Sequence, residues 1–334
     1  GGVAARNEAY VWPQIPPAEN PLGYVTNGVD VSTFLGLAWG SLFDMYVDTG
    51  WRAKITDAGF WDRFVEDIPD HAYHSTHQIL KAELLEDCRR RVRIQYRRKG
   101  CSAAMVNRLL ENLAPERLDT LVVGFARRFA TYKRATLIFR DLDRLARLVN
   151  QSDRPVLLIF AGKAHPHDEP GRQLLRDIHH ISMRPEFLGK VLLLEDYNFS
   201  MARTLMAGVD VWLNVPEYPK EACGTSGMKA AINGAVNLSV LDGWWGEAYD
   251  GHNGWAITPL PALDAETRNR QEAAELLDIF EHQVIPLFFQ RDRDGEPRAW
   301  IRKSKAAMKT TIPHFNSQRM ALDYIRGYYA GASA

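Results

Sequence analysis

The sequence predicts an α/β fold built on a doubly wound, Rossmann-like parallel sheet with additional helices. Five short apolar runs lie between residues 119 and 262, and amphipathic stretches with helical spacing separate them. Short runs that are apolar on both faces are typical of buried parallel strands. The 334 residues, 46% of them hydrophobic and 25% charged, are enough to bury a sizeable core. The predicted strands are residues 120–124, 156–160, 191–194, 209–213 and 235–240.

Three other segments flank this predicted core of residues 119–262. Residues 1–27 contain four prolines and little periodicity, which predicts a connector from a preceding domain that this sequence lacks. Apolar residues recur at helical spacing over residues 28–118, so we expect a helical layer there. Residues 263–334 are predicted to form C-terminal helices, with interruptions near Gly295 and Pro313.

Charge, cysteine content and hydropathy narrow the classes of partner. The chain has 41 basic and 41 acidic residues, so no net field attracts nucleic acid or an anionic membrane surface. The cysteines Cys88, Cys101 and Cys223 are too scattered for a disulfide framework or a metal-binding pair. No apolar run reaches the length of about 18 residues that a membrane-spanning helix needs. We therefore expect a cytoplasmic location, with neither nucleic acid nor a membrane as partner.

The loop that follows the first predicted strand is rich in cations. It covers residues 124–134, and a helix is expected from about Ala135. Backbone N–H groups and the helix dipole favour anions at a helix start, so this placement indicates a phosphate site. A solvated basic face is the alternative, but the carboxyl end of a central strand is where such sheets bind ligands. The cations are Arg127, Arg128, Lys133 and Arg134.

The loop after the fourth predicted strand indicates a second anion site. A helix from about Ser226 to Ile232 would direct the amides of residues 224–227 towards an anion, and Thr225 would add a hydroxyl group. The spacing of a Walker A loop is absent.

Two charged side chains of the same loop could take part in chemistry. A lysine such as Lys229, near a helix start and other cations, has a lowered pKa that suits Schiff-base formation with an aldehyde. A plain surface lysine is the alternative. Glu221 could be either a helix-start carboxylate or an acceptor for a sugar hydroxyl.

Three further features have simpler interpretations. Trp244 and Trp245, beside glycines after the fifth strand, could cover a ligand or pack in the core. The histidines in residues 165–169 match no recognised metal spacing, so we expect a polar loop and no metal. The basic run over residues 89–99 is interleaved with acidic residues, which favours a solvated helix face.

Taken together, these loops resemble those of the α-glucan phosphorylases, the glycogen, starch and maltodextrin phosphorylases, in their shorter bacterial form. The stretch Glu-Ala-x-Gly-Thr-x-x-Met-Lys that ends at Lys229 is the most specific match. The matching stretches occur in family order over roughly residues 22–260. They are residues 26–29, 124–134, 160–164, 194–197, 208–214, 221–229, 233–234 and 241–243.

The resemblance implies a GT-B fold, in which two Rossmann-like domains face each other across a cleft and pyridoxal 5′-phosphate binds in the second. This chain would be that second, C-terminal domain. Lys229 would form the Schiff base. The cofactor phosphate would be held by Thr225, Ser226, Arg127 and Tyr197. Substrate phosphate would be held by Arg128 and Lys133, and the sugar by Tyr132, Glu221, Asn27 and the backbone amides of Cys223 and Gly224.

The activity implied is reversible phosphorolysis of α-1,4-glucan by inorganic phosphate, which gives glucose 1-phosphate. In this family the cofactor phosphate exchanges a proton with inorganic phosphate, which protonates the glycosidic oxygen and captures the glucosyl cation. Two adjacent phosphates repel each other, so a cluster of cations is required. The expected partners are the glucan, both phosphate compounds, the missing N-terminal domain and a second copy in a homo-oligomer.

The sequence departs from the family pattern at two positions. Asp30 stands where short forms often have histidine, and Cys223 stands where many members have serine. Two alternative functions remain open. A nucleotide-sugar-dependent GT-B glycosyltransferase, such as a glycogen or starch synthase, would share the fold without needing Lys229. A truncated phosphorylase domain could bind glucan without turnover.

Overall fold

The computed structural model describes residues 14, 23–47, 49–114 and 116–330. Its sheet consists of β1 (Leu121–Ala126), β2 (Val156–Ala161), β3 (Val191–Leu194), β4 (Val211–Asn214), β5 (Val236–Val240) and β6 (Gly254–Ile257). The strands are all parallel, in the order β3-β2-β1-β4-β5-β6. The winding reverses between β1 and β4, which is where doubly wound sheets bind ligands. The predicted α/β class is therefore confirmed.

The five predicted strands are all present, whereas β6 was not predicted. β6 has only four residues and directly follows a turn rich in Asp, Gly and Asn, so it offered no apolar run to detect. It pairs with β5 through Leu238 and Trp255 and lies at one edge of the sheet. The sheet is thus one strand wider than the sequence indicated.

Helices cover both faces of the sheet and form a separate layer before it. Many of them begin at an Asp, Asn or Ser whose side chain accepts a hydrogen bond from the first turn, as Asp57, Ser102 and Asn198 do. The helices are α1 (Val31–Phe34), α2 (Leu37–Val47), α3 (Ala58–Asp67), α4 (Asp70–Arg98), α5 (Ala103–Leu110), α6 (Leu142–Val149), α7 (Glu169–Ser182), α8 (Phe199–Gly208), α9 (Thr225–Ala231), α10 (Trp245–Ala248), α11 (Ala265–Ile279), α12 (Ile285–Phe289), α13 (Arg298–His314) and α14 (Ser317–Tyr324).

Shorter helical segments complete the described structure. The 3₁₀ segments are Thr49–Lys54, Glu111–Leu113, Thr131–Lys133 and Leu137–Phe139, and the π-helical turns are Phe280–Val284 and Ile325–Tyr329. Within the ranges given above, no helix combines the length and the hydrophobicity needed to cross a membrane.

One helix prediction was wrong. Arg134, with φ of 49°, ends the 3₁₀ turn Thr131–Lys133, and only a second short 3₁₀ turn, Leu137–Phe139, follows where a helix was expected from about Ala135. The α-helix begins only at Leu142, after the side chain of Asp141 caps it. The predicted break near Pro313 is present, since Pro313 lies in the last turn of α13, which ends at His314, and α14 begins only at Ser317. The break near Gly295 is present, between α12 and α13.

Apolar side chains are buried on both sides of the sheet and inside the helical layer. Along β1, Val123 and Phe125 belong to one cluster and Val122 to another, as expected when successive residues face opposite sides. The helical layer has its own aromatic cluster, in which the ring of Phe43 lies 5.6 Å from that of Trp61. Burying one such large side chain contributes about 1.5–3 kcal/mol.

A buried charged network joins α4 to the sheet at the amino-terminal ends of β1 and β4. The Asp210 carboxylate accepts hydrogen bonds from Lys81 Nζ at 2.7 Å and from the Val122 amide at 2.8 Å, and its other oxygen lies 3.1 Å from His77 Nε2. Lys81 is 0% exposed and Asp210 2%. The network therefore lies at the opposite ends of the strands from the predicted phosphate loops, which follow their carboxyl ends.

The segment that carries Asn27 is held by the C-terminal helices. Val29 donates to the Phe315 carbonyl and accepts from the Ser317 amide, both at 2.9 Å. The Arg319 guanidinium donates to the carbonyl oxygens of Thr26 and Asn27. Of the predicted connector 1–27, the structure describes residues 14 and 23–27. The other residues of the connector lie outside the described ranges. The division of the chain at residues 28, 119 and 263 remains a prediction.

Candidate functional site

The loop after β1 is tightly fixed against the loop after β2. The Arg127 amide donates to the Ala161 carbonyl at 3.2 Å, and the Phe129 amide donates to the Lys163 carbonyl at 2.9 Å. Gly162 has φ of 153°, and a Cβ there would lie 2.0 Å from the Arg127 carbonyl oxygen. Only glycine permits this approach. The backbone that presents Arg127 is therefore fixed by the sheet.

A buried cluster of charges lies at the carboxyl ends of β1 and β4. The Glu221 carboxylate accepts hydrogen bonds from Arg127 Nη2 at 2.6 Å and from Lys133 Nζ at 2.6 and 2.8 Å. Arg127 Nη1 also donates to Asn214 Oδ1. The Glu221 amide donates to the Asp242 carboxylate at 2.9 Å. Because Arg127, Lys133 and Glu221 are all buried, their mutual interactions are only weakly screened by water.

This cluster keeps some hydrogen-bonding capacity for a ligand. Arg127 Nε is buried and has no partner within the described part of the chain. Arg128 is exposed and forms no hydrogen bond or ion pair with any described residue. The two neighbouring guanidinium groups can thus both take an additional anion.

Arg134, the fourth cation of this loop, points away from the cluster. Its guanidinium donates to the carbonyl oxygens of Val215 and Pro216 and to Asn269, and it pairs with the buried Glu272. All four cations were expected to lie together. This expectation was wrong for Arg134, because its left-handed backbone turns its side chain towards α11.

Helix α9 carries Lys229 and begins one residue earlier than predicted. Gly224 precedes it with φ of 83°. The Lys229 amine is half-buried, its Nζ lies 4.1 Å from the centre of the Phe34 ring, and no described residue hydrogen bonds to it. Burial alone lowers the pKa of Lys229. The sequence attributed this lowered pKa to cations and the helix start, so the direction is supported but the cause is desolvation.

The other residues predicted to hold the cofactor lie around the same helix start. The Ser226 hydroxyl accepts a hydrogen bond from Trp212 Nε1 at 3.3 Å, whereas the Thr225 hydroxyl has no partner among the residues the structure describes. Tyr197 is half-buried, and this burial raises the pKa of its phenol, while the nearby charge of Arg127 acts in the opposite direction. Tyr197 and Arg127 are therefore neighbours.

The residues predicted to contact the sugar are also brought close to the charged cluster. The Tyr132 ring lies 4.6 Å from Lys133 Nζ. The Cys223 thiol is buried, which raises its pKa, while the nearby side chain of Asn27 acts in the opposite direction. Gly224 lies against Glu221, because a Cβ there would be 3.4 Å from the Glu221 carboxyl carbon.

Trp244 and Trp245 belong to the core, which decides between the two interpretations of this pair. Both are almost completely buried, and the Trp245 indole donates to the Trp255 carbonyl at 3.0 Å. The Trp244 amide donates to the Cys223 carbonyl at 2.8 Å, so the pair supports the loop before α9 from behind.

Sequence reasoning missed three residues of this region. Phe34 covers Lys229, Asp242 holds the Glu221 amide, and Asn233 hydrogen bonds to the Lys229 carbonyl at 2.8 Å. Asp242 and Asn233 lay within matched stretches but received no role. Phe34 gave no signal, because a single aromatic residue at the end of a short helix has no distinctive pattern.

The segments considered as metal or nucleic-acid sites form hydrogen bonds or ion pairs with nearby residues of the chain. Asp168 caps α7 by accepting from the Gly171 amide at 2.9 Å. The basic run is partly neutralised, with Arg91 paired to Asp87 and Lys99 to Glu195. No group of three metal-ligating side chains occurs in the part of the chain that the structure describes.

Comparison with known proteins agrees with this geometry. A family model described as carbohydrate phosphorylase matches residues 66–248. The chain is 42% identical to a maltodextrin phosphorylase of Thermococcus litoralis over 330 residues, 97% of this chain and 38% of that protein. It is 42% identical to a glycogen phosphorylase of Aquifex aeolicus over 93% of this chain and 44% of that protein. A glycogen phosphorylase of Mycobacterium tuberculosis is 39% identical over 97% of this chain.

These relatives are much longer, since the chain spans only about 37–44% of their length. The similarity nevertheless extends along nearly all of this chain, and the family model covers the later part of the helical layer from residue 66, the cation cluster and Lys229. The α/β sheet is accordingly of the GT-B type found in that family. The chain belongs to the carbohydrate phosphorylase family.

Proposed function

We propose that this chain is the cofactor-bearing part of an α-1,4-glucan phosphorylase, which converts glycogen or maltodextrin and inorganic phosphate reversibly into glucose 1-phosphate. One observation carries the proposal. A half-buried lysine amine, to which no residue of the described ranges hydrogen bonds, lies on the helix that follows a buried carboxylate with two cations. The relatives named maltodextrin phosphorylase and glycogen phosphorylase support the substrate class.

The residues present fit pyridoxal 5′-phosphate. When bound, this group supplies an aldehyde that bonds to an amine and a phosphate that can exchange a proton with a second phosphate. Lys229 would hold the aldehyde carbon, because its lowered pKa increases the fraction of neutral, nucleophilic amine at neutral pH. The unpaired Thr225 hydroxyl, Ser226, Tyr197 and the spare Nε of Arg127 would hold the phosphate.

Substrate phosphate would bind to Arg128 and Lys133. Arg128 is exposed and pairs with no residue that the structure describes, so it can bind an anion without losing a pair seen there. Lys133 is already bonded to Glu221, which must share it with the incoming phosphate. Two phosphates each carry about −1.5 to −2 charges at neutral pH, so the three cations are needed to bring them together.

Glu221, Tyr132, Asn27 and the backbone of Cys223 and Gly224 would orient the glucosyl unit. The contacts of Glu221 with Arg127 and Lys133, and of Tyr132 with Lys133, support this grouping. The part of the longer relatives that this chain does not match would close the other side of the site. A homo-oligomer and a cytoplasmic location remain part of the proposal.

Trapping the cofactor on its lysine tests the proposal. The chain is incubated with pyridoxal 5′-phosphate, reduced with borohydride and digested, and the peptides are analysed by mass spectrometry. We expect the adduct on Lys229 and none in Lys229→Ala. Because the pKa of Lys229 is lowered, the adduct should form at lower pH than on exposed lysines.

Lys303 is the internal control for this experiment. It is also half-buried, with a pKa lowered by burial, but it lies over Trp255 and away from the charged cluster. Equal modification of Lys303 and Lys229 would mean that reactivity reflects burial alone and would contradict a cofactor site. Absence of any adduct would favour a nucleotide-sugar transferase or a glucan-binding domain without turnover.

A further inference from the structure

We infer that Asn233 is a positioning residue for Lys229, because it ties the helix that carries the lysine to the segment that carries the aromatic ring over its amine. Asn233 lies two residues after α9 and has no exposed surface. Its relevance to catalysis rests on the proposed function, whereas its effect on the lysine can be measured without the cofactor.

The Asn233 side chain bridges two segments that are nearly 200 residues apart in the chain. Its Nδ2 donates to the Lys229 carbonyl at 2.8 Å and to the Phe34 carbonyl at 2.9 Å. Its Oδ1 accepts from the Gly36 amide at 2.7 Å. One amide group thus satisfies three buried backbone groups, two on the aromatic segment and one on Lys229 itself.

The backbone of Asn233 is held as firmly as its side chain. The Trp39 indole donates to the Asn233 carbonyl at 3.1 Å. The next residue, Gly234, has φ of 81°, and a Cβ there would lie 2.5 Å from the Tyr73 hydroxyl. Asn233 therefore has little freedom to move, and the distances it sets are transmitted to both partners.

The geometry that Asn233 sets is the contact between Lys229 and Phe34. The amine lies 4.1 Å from the ring centre, and Phe199 makes an edge contact with the same ring, at 5.6 Å between ring centroids. Since burial is what lowers the pKa of Lys229, the position of the ring determines how much water reaches the amine. Loosening the Asn233 bridge should hydrate the amine.

A second asparagine with its own lysine provides a matched control. Asn253 is 1% exposed and donates to the Ala248 carbonyl at 2.7 Å. Lys303 Nζ lies 4.8 Å from the Trp255 ring centre. It donates to the carbonyl oxygens of His252 and Gly254, the two residues that flank Asn253. Both lysines are therefore half-buried, aromatic-covered and adjacent to a buried asparagine.

The experiment measures the titration of both lysines in the same cofactor-free sample. The wild-type chain and the uncharged variants Asn233→Ala, Asn233→Leu, Asn233→Ser and Asn253→Ala are acetylated with trace acetic anhydride over a pH series, and each lysine peptide is quantified. We expect the Asn233 variants to move the Lys229 midpoint upwards, towards the ordinary lysine pKa of 10.5, and to leave Lys303 unchanged. Asn253→Ala should leave Lys229 unchanged.

Each other outcome overturns the inference. If folded Asn233 variants keep the wild-type midpoint at Lys229, the bridge does not position the lysine. If they shift Lys303 equally, or if Asn253→Ala shifts Lys229, the effect is general loosening. If none of the three Asn233 variants folds by circular dichroism, Asn233 serves the fold alone. None of these results depends on whether pyridoxal 5′-phosphate binds, so failure of the proposed function would be recognised separately.

Discussion

Glu221 shows how a single side chain can serve both folding and ligand binding. Its carboxylate neutralises one of two buried cations, Arg127 and Lys133, and its amide is held by Asp242. The cations without Glu221 would be buried and unpaired, which is unfavourable in a protein interior. An anionic ligand would provide the missing charge, so the cost of gathering these cations is offset by Glu221 until the ligand arrives.

Replacement of Glu221 by alanine should therefore strongly destabilise the chain. Removing one partner of a buried ion pair typically costs about 3–5 kcal/mol. Urea unfolding at neutral pH measures this loss, and added inorganic phosphate should restore more stability to Glu221→Ala than to the wild type. A loss below about 1 kcal/mol, as for exposed ion pairs, would show that water already screens the cluster.

At the scale of secondary-structure elements, the Asp210 network attaches the long helix α4 to β1 and β4. Lys81 and His77 come from α4, Val122 belongs to β1, and Asp210 directly precedes β4. The neighbouring positive charges hold the pKa of Asp210 below its ordinary value of 3.8, despite its burial. The carboxylate therefore stabilises the fold in its charged form.

Asp210→Asn should lower the free energy of unfolding by about 3–5 kcal/mol at neutral pH, because Lys81 loses its partner in a dry environment. A group with a lowered folded-state pKa contributes stability above its unfolded pKa and loses it as the pH falls through the folded value. The free energy of unfolding of the variant should thus stay below that of the wild type at neutral pH, and the difference should shrink below about pH 4.

The double variant Lys81→Met with Asp210→Asn separates charge from packing. An apolar side chain of similar volume needs no ion-pair partner, so this variant should recover much of the lost stability. Chemical unfolding of both variants provides the comparison. If the double variant is no more stable than Asp210→Asn, the loss does not arise from leaving Lys81 without its charged partner.

The elements that the sequence revealed are those with a strong periodic or compositional pattern. The run 156–160 is apolar throughout and became β2, and Lys229 was found because a specific stretch of residues leads to it. The helix expected at Ala135 is absent: a short 3₁₀ turn, Leu137–Phe139, lies there, and the α-helix begins at Leu142, where the side chain of Asp141 caps it. Phe34 was missed since its role depends entirely on tertiary contact.

At the scale of the whole molecule, the described chain closes on itself. Val29 pairs with residues 315–317, and the guanidinium of Arg319 holds the backbone on both sides of the Thr26–Asn27 peptide. Gly28 makes this closure possible, because a Cβ there would lie 2.1 Å from the Asn316 carbonyl oxygen. The C-terminal helices are therefore part of the support for Asn27.

Gly28→Ala should displace this segment and destabilise the chain by about 1–3 kcal/mol, the usual effect of overpacking. Thermal unfolding measures the loss, and limited proteolysis should show faster cleavage around residue 27. Gly40→Ala is the matched control, since a Cβ there meets nothing within 4 Å. In helix α2 this change should instead stabilise by about 0.5–1 kcal/mol. Equal effects of the two variants would contradict the role given to Gly28.

The closure also determines the order in which the site can be completed during synthesis. Contacts between residues that are far apart in sequence form late, because a long loop must close before they are made. Arg127, Lys133, Glu221 and Lys229 can come together once the sheet has formed, but Asn27 must wait for residues 315–319 to leave the ribosome. Asn27 is thus the first residue of the candidate sugar site to be synthesised and the last to be held in place. A nascent chain therefore forms its cation cluster before the sugar site is complete.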